Sequence, residues 1–121
     1  MEIVSFLTAE QIVDLHEEVC ADRVVSSQHL LESAVATPQW HDKIHYQAAV
    51  LFRSLAKNHA FCDGNKRTAV VSVITFLRIN GFTLSAKEDT IFRFVLRVAK
   101  TPNPDVPWIA SWFRRHIKPL L

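Results

Sequence analysis

The spacing of apolar residues predicts helices along most of this chain. Thr8 and Gln11 form a capping-box pattern, T-x-x-Q, which marks the start of a first helix. Ile12, Leu15 and Val19 then recur on one face of that helix. The pattern predicts an amphipathic helix that packs its apolar face against the rest of the protein.

Two further helices are predicted before the middle of the chain. One begins at Ser26 or Ser27 and ends before Pro38, which cannot continue it. The next, "YQAAVLFRSLAKN" (residues 46–58), is apolar on most of its circumference. A helix of this kind is expected at the centre of the domain.

Residues 66–80, "KRTAVVSVITFLRIN", run without a breaker up to Gly81 and are predicted as a fourth helix. A rival interpretation is a β-hairpin, because "ITFLRINGFTLS" is rich in β-branched and aromatic residues around Asn80-Gly81. We favour the helix, since the uninterrupted run is too long for a typical strand. A short extended segment after Gly81 stays open.

The last third of the chain predicts two more helices. Ser85 and Glu88 repeat the capping-box pattern and predict the start of a fifth helix. The final helix is predicted to carry its large apolar side chains on one side: Trp108, Ile109, Trp112, Phe113 and Ile117. Only two glycines occur, which suits helices better than a turn-rich β fold. We predict one all-α domain of about six helices over residues 1–121.

Composition narrows the class of protein. The chain is 49% hydrophobic and 21% charged, an ordinary globular balance. The net charge of +2 is too small to predict nucleic acid as a partner. No apolar run predicts a membrane span or a signal peptide. Two cysteines do not form a disulfide framework, so we expect a cytoplasmic protein with reduced thiols.

Residues 59–69, "HAFCDGNKRTA", concentrate most of the candidate chemistry. A helix that begins near Gly64 or Asn65 has backbone N–H groups without intrahelical partners, and these groups and the helix dipole attract anions. Lys66 and Arg67 lie in the first turn, where positive charge is unfavourable for stability alone. A bound polyphosphate would turn that repulsion into attraction, so the pattern indicates a phosphate site.

The neighbouring side chains each have two interpretations. Asp63 is either a ligand for a divalent cation or the N-cap of the helix. Asn65 is either a cap or a hydrogen-bonding partner of a ligand. His59 is either a base that takes a proton from a hydroxyl or a loop histidine with a structural hydrogen bond, and for a lone histidine the structural role is the commoner. Phe61 is expected to anchor the loop in the core.

Other candidates are weaker. Cys62 lies three residues from His59, but no oxyanion donor accompanies it, so a thiol nucleophile is not favoured. His41 and His45 have helical spacing but lack the glutamate of an H-E-x-x-H zinc site. Basic residues in the last two helices are interpreted as solvated faces: Arg93, Arg97, Lys100, Arg114, Arg115 and Lys118.

The stretch "HAFCDGNKRTA" resembles the signature of the Fic/Doc family, H-x-F-x-x-[GA]-N-K-R-T in its death-on-curing branch. The segments "LLESAVATPQ", "VLFRSLAKN" and "VVSVITFLRINGFTL" are similar to that branch too. The resemblance implies an all-α bundle with the motif on a loop and at the N-terminus of a central helix. It also implies transfer of part of a nucleotide to a protein hydroxyl.

The resemblance assigns expected roles within the motif. His59 looks like the base that activates the target hydroxyl, and Asp63 is similar to the residue that positions Mg²⁺. The amides of residues 64–66 would form the anion nest, with ATP as the nucleotide. The implied phosphate-binding residues are Gly64, Asn65, Lys66 and Arg67, of which Lys66 and Arg67 would also stabilise the transferred group.

Lys66 distinguishes two chemistries within the family. AMP-transferring members typically carry a second glycine, G-N-G-R, where this chain has Lys66. Lysine at that place resembles the death-on-curing toxins, which bind ATP in the reversed sense and phosphorylate a threonine of elongation factor Tu. We therefore favour a protein kinase, with AMP transfer as the alternative and a catalytically silent interaction module as a third possibility.

The resemblance also bears on regulation. Many Fic proteins inhibit themselves through a helix with [ST]-x-x-x-E-[GN], and no Ser or Thr here stands four residues before a Glu. A separate antitoxin that folds against a groove near the site is therefore expected. The chain departs from the family at Ala60, in the glycine-free connector "CADRVVSS", and in the short segment 40–45 expected to dock the target.

Overall fold

Six α-helices make up most of the computed structural model, which describes residues 3–121, so the predicted all-α fold is confirmed. Their bounds are α1 Ala9–Cys20, α2 Gln28–Ala36, α3 Ile44–Lys57, α4 Asn65–Ile79, α5 Glu88–Lys100 and α6 Val106–His116. The smaller elements are a 3-10 helix, Thr37–Trp40, and two strands, β1 Phe82–Leu84 and β2 Ile117–Pro119.

Helix α1 begins as the capping box predicted. The Gln11 N–H donates to the Thr8 hydroxyl at 3.1 Å, and the Thr8 N–H donates to the Gln11 side chain at 2.9 Å. The buried face was predicted only in part. Ile12 is buried, but the other buried positions of α1 are Val13 and His16, whereas Leu15 and Val19 are half-buried. A polar residue thus occupies the buried stripe.

Helix α3 lies at the centre of the fold, as its apolar circumference predicted. Residues 47–52 are all buried, and the helix packs against α2, α4, α5 and α6. It begins at Ile44, two residues earlier than expected. His41 therefore lies outside α3. The helical spacing of His41 and His45 had suggested a shared helix face, and the structure does not form it.

Residues 65–79 form helix α4, and the rival hairpin is wrong. Gly81 follows the helix with φ of 87°, the left-handed conformation that ends many helices. The extended segment beyond it, β1, pairs antiparallel with β2 near the end of the chain and not with the preceding residues. The glycine thus ends a helix and starts a strand.

Two expectations for the last third of the chain are wrong. Lys87, and not Ser85, is the N-cap of α5, and no side chain caps this helix. The Ser85 N–H instead donates to the His116 carbonyl at 2.7 Å, in line with the β1–β2 pairing. Ile117 leaves the last helix and begins β2, because α6 ends at His116.

Aromatic residues fill the core between α3, α5 and α6. The rings of Phe94 and Trp112 stack at 4.0 Å, and Phe113 meets both edge-on. Within residues 3–121, no helix combines the length and the apolar character needed to cross a membrane. Cys20 and Cys62 are both free thiols.

Candidate active site

Gly64 makes the turn that leads into α4. It is the N-cap residue, with φ of 75° and ψ of 18°, a conformation that costs other L-residues about 1–2 kcal/mol. A Cβ placed on Gly64 would overlap the Cys20 sulfur at the end of α1. The Cys20 side chain therefore lies in the space that a side chain at position 64 would need.

The N-terminal turn of α4, residues 64–67, leaves several backbone donors free. The Gly64 N–H donates to Asp63 Oδ1 at 2.8 Å, and the Thr68 N–H makes the first helical bond, to the Gly64 carbonyl at 3.0 Å. No side chain caps the helix. Among the described residues, the N–H groups of residues 65–67 have no partner, so they are available to an anion.

Asp63 flanks this turn without being its N-cap. Its side chain is exposed, and one carboxylate oxygen accepts the Gly64 N–H. Because a carboxylate offers several acceptor positions, the other oxygen can still bind a hard cation such as Mg²⁺. The structure thus removes the capping interpretation and leaves the cation-ligand prediction standing.

Asn65 connects the motif loop to α4. It is only 9% exposed, and its side chain accepts the Phe61 N–H at 3.1 Å and donates to the Phe61 carbonyl at 2.9 Å. These two bonds hold the side chain against the loop and leave its second amide N–H without a partner among the described residues. The backbone N–H of Asn65 is a further donor that a phosphate can reach.

The loop segment that carries His59 is held from two sides. The Ala60 carbonyl accepts the N–H groups of Ser26 and Ser27, while Phe61 is fully buried as predicted and forms a bridge with Val25. His59 precedes this anchored segment, is exposed, and has φ of 55°. A positive φ is uncommon for a residue with a side chain, and it is often found at functional sites.

Lys66 and Arg67 project from the first turn of α4 and are both exposed. The helix has no acidic residue in that turn, so nothing within it offsets their charge against the helix dipole. Arg67 donates to the Val19 carbonyl of α1 at 3.3 Å. This bond directs the guanidinium along the end of α1.

An open cavity of about 690 Å³ adjoins this turn. One end is formed by residues 63–67, which bring the backbone donors and both cations together. The remaining wall comes from α1, α4 and α5. It contains one acidic residue, Glu88, and is otherwise apolar: Val19, Val70, Val71, Ile74, Ile91, Phe92, Val95 and Leu96. The volume lies in the range of small-molecule pockets. His59 lies outside this wall.

Sequence reasoning missed the contribution of α1 to the site. His16 is fully buried, and its ring contacts Thr68 and Phe61 of the motif. The available signal was spacing, since Ile12, His16 and Cys20 recur every four residues. A histidine and a cysteine on one stripe do not reveal which residues they meet, because those partners lie far away in the chain.

Known proteins resemble this chain over the segment that contains the candidate site. A profile described as the Fic/DOC family matches residues 6–77, from three residues before α1 into the last turn of α4. "Toxin Doc" of Mycolicibacterium smegmatis (strain ATCC 700084 / mc(2)155) is 48% identical over 67 aligned residues, covering 50% of this chain and 52% of the relative. The match spans about half the length of that curated relative. The chain belongs to the Fic/DOC family.

Proposed function

We propose that the protein is the toxin of a toxin–antitoxin pair and a kinase that transfers the γ-phosphate of ATP to a protein hydroxyl. The observation that carries this proposal is the N-terminal turn of α4. Three backbone N–H groups that have no partner in residues 3–121 meet Lys66 and Arg67 there, at one end of a nucleotide-sized cavity. The similarity to a protein named Toxin Doc supports the toxin part of the proposal.

Each residue of the motif has a separate role in the proposed phosphate transfer. The N–H groups of residues 65–67 hold phosphate oxygens, and Lys66 and Arg67 stabilise the negative charge of the group in transit. His59 accepts the proton of the attacking hydroxyl. Its exposure suits this role, because the hydroxyl belongs to a second protein that must approach from solvent.

Asp63 fits a magnesium ion that accompanies ATP. Its free carboxylate oxygen lies beside the phosphate-binding turn, and Mg²⁺ commonly takes one or two carboxylates with substrate phosphates and water. When bound, the ion neutralises phosphate charge. The Gly64 N–H holds the Asp63 carboxylate against the same turn, so cation and anion sites are adjacent.

Lys66 favours transfer of the γ-phosphate over transfer of AMP. Its side chain is exposed at the phosphate end of the cavity, where it adds bulk and positive charge. A terminal phosphate carries more charge than an internal one and needs less room than a whole nucleotide. AMP transfer uses the same nest and remains the second candidate.

The direct test of the chemistry uses two labels. The protein is incubated with Mg²⁺, elongation factor Tu and ATP labelled either on the γ- or on the α-phosphate. We expect label on elongation factor Tu only from the γ-phosphate, with a mass gain of one phosphate. Label from the α-phosphate would establish AMP transfer instead, and transfer of neither label would reject both chemistries on this target.

A matched pair of histidine variants tests the proposed base. His59→Ala is expected to abolish transfer, whereas His29→Ala, which also changes an exposed histidine, is expected to leave it unchanged. Growth arrest on expression should follow the same pattern. If wild type and His59→Ala are equally harmless, the protein is better described as an interaction module.

We propose further that an antitoxin helix covers the apolar part of the cavity. Phe92 on α5 is 61% exposed although it lines that wall, so it offers an unburied aromatic contact. An amphipathic helix buries such a surface, as helices do in grooves. Phe92→Asp is expected to weaken co-purification with the antitoxin, with Lys118→Asp on β2 as an exposed control.

A further inference from the structure

His16 is a polar side chain in a fully buried position. It lies on α1 at 0% exposure, and its ring stacks on that of Phe61 with centroids 3.9 Å apart and planes 9° from parallel. Burying an imidazole is costly unless its nitrogens are hydrogen-bonded. An apolar residue would fill this place more cheaply, so the bonds of the ring need an explanation.

Both ring nitrogens of His16 have partners from different parts of the chain. Nδ1 lies 2.7 Å from the Thr68 hydroxyl, and Nε2 lies 3.0 Å from Asp22 Oδ1. A carboxylate only accepts, so Nε2 carries a proton and donates to Asp22. In the neutral ring Nδ1 is then the acceptor, and the Thr68 hydroxyl donates to it.

Through Thr68, the ring reaches the phosphate-binding turn. The Thr68 N–H donates to the Gly64 carbonyl, which closes the first turn of α4. The His16 Cε1 atom lies 3.6 Å from where a Gly64 Cβ would be, and Cys20 occupies the space next to it. The last turns of α1 therefore support both the backbone of the turn and the loop residue Phe61.

We propose that His16 is a positioning residue, which holds the N-terminal turn of α4 and the Phe61 loop in the geometry that binds phosphate. The claim rests on the proposed function of that turn. His16 does not touch the nucleotide in this account. It acts through Thr68 and Phe61, and its bond to Asp22 keeps the ring in the tautomer that accepts from Thr68.

Three variants separate positioning from simple loss of stability. His16→Phe keeps the ring and the stacking but removes both hydrogen bonds. His16→Asn keeps an acceptor near Nδ1, and Thr68→Val removes the hydroxyl that meets it. Thr8→Ala is the matched control, since it weakens the far end of the same helix by removing its capping box.

The first measurement is the affinity for Mg·ATP, together with kcat and KM. We expect His16→Phe and Thr68→Val to lose about 10- to 100-fold in affinity, because small displacements of binding groups have effects of this size. His16→Asn should come within a few-fold of wild type. Thr8→Ala should bind normally even where its Tm falls as much as that of His16→Phe.

The second measurement does not depend on activity. In the free protein, the NMR amide signals of residues 64–67 should shift in His16→Phe and Thr68→Val but not in Thr8→Ala. The ¹⁵N signals of His16 should show protonation at Nε2 alone. If wild type fails to bind Mg·ATP, the proposed function is rejected, while these signals still decide the positioning claim.

Two results would overturn the proposal. One is normal Mg·ATP affinity and unchanged amide signals in Thr68→Val. The other is an equal loss of affinity in Thr8→Ala at a matched Tm, which would reduce His16 to a structural residue. Should His16→Phe fail to fold, Thr68→Val provides the comparison, because it removes the hydrogen bond to Nδ1 and leaves the His16 ring stacked on Phe61.

Discussion

The N-termini of α1 and α4 differ in how their unpaired backbone N–H groups and positive helix-dipole ends are treated. At α1, Thr8 and Gln11 satisfy each other's backbone N–H groups, and Glu10 places negative charge in the first turn. At α4, the N-cap is a glycine without a side chain, and Lys66 and Arg67 place positive charge there. The first arrangement stabilises the helix, and the second leaves it ready for an anion.

Helix α5 shows that the missing cap is not the decisive feature. It also lacks a side-chain cap, but Glu88 and Asp89 lie in its first turn and complement the helix dipole. Helix α4 has the opposite sign of charge at the same kind of position. Charge sign in the first turn, and not capping alone, therefore distinguishes α4 from α5, and it is the charge at α4 that the proposed phosphate site uses.

The largest effect on stability is expected from closing the space beside Gly64. Gly64→Ala forces a side chain into φ of 75° and displaces the Cys20 thiol, so the free energy of unfolding should fall by roughly 2–4 kcal/mol. Urea unfolding measures this loss. The affinity for Mg·ATP should fall with it, because the free N–H groups follow Gly64 directly.

A second substitution tests that explanation. In a Cys20→Ala background the thiol is gone, and Gly64→Ala should then cost only the backbone strain, about 1–2 kcal/mol. The Cys20 Cβ lies 3.5 Å from the added Cβ, an ordinary contact. An equal cost in both backgrounds would show that Cys20 does not restrict this turn.

The capped end of α1 should be separable from function. Thr8→Ala removes the capping box and is expected to lower the free energy of unfolding by about 1 kcal/mol. The affinity for Mg·ATP should stay unchanged, since the box lies at the opposite end of α1 from Cys20. Calorimetric titration checks this, and a parallel loss of affinity would mean that the two ends of α1 are coupled.

A smaller effect on the free energy of unfolding is expected from the titration of Asp22. This residue lies just after α1 and is linked to Thr68 of α4 through the His16 ring. The Val24 N–H, and then the His16 ring, hold the pKa of Asp22 below its usual value. A lowered pKa stabilises the fold above the unfolded-state pKa, and this stabilisation is lost as pH falls through the folded-state pKa. The relevant window lies below about pH 4.

Asp22→Asn isolates that contribution. The difference in unfolding free energy between wild type and Asp22→Asn should be constant near neutral pH and shrink below about pH 4. Urea unfolding at a series of pH values measures it. A difference that stays the same at every pH would show that the negative charge of Asp22 does not contribute to the free energy of unfolding.

Local signals in the sequence predicted most of the fold. The capping box at Thr8, the serine that starts α2 and Gly81 at the end of α4 all act within a few residues, so spacing reveals them. Ser85 and Glu88 show the limit of this approach. The same S-x-x-E pattern failed there, because the Ser85 backbone bonds to His116, 31 residues further along the chain.

The sequence predicted which residues form the candidate site better than it predicted the contacts that hold them in place. The motif identified the helix start and its two cations. The close contact of Gly64 with Cys20 and the bonds of the Asn65 side chain to the Phe61 backbone were not predictable from it. His16 was missed because a buried histidine and an exposed one look alike in a single sequence. Contacts between distant segments determine these roles, and periodicity does not encode them.

The central claim is that the first turn of α4 accepts unfavourable charge in order to bind phosphate. Lys66→Glu tests it when the free energy of unfolding and the affinity for Mg·ATP are measured on the same preparation, with Lys66→Gln as the neutral intermediate. We predict a stability gain of about 0.3–1 kcal/mol and a loss of affinity of about tenfold or more. Lower stability with unchanged affinity would contradict the account.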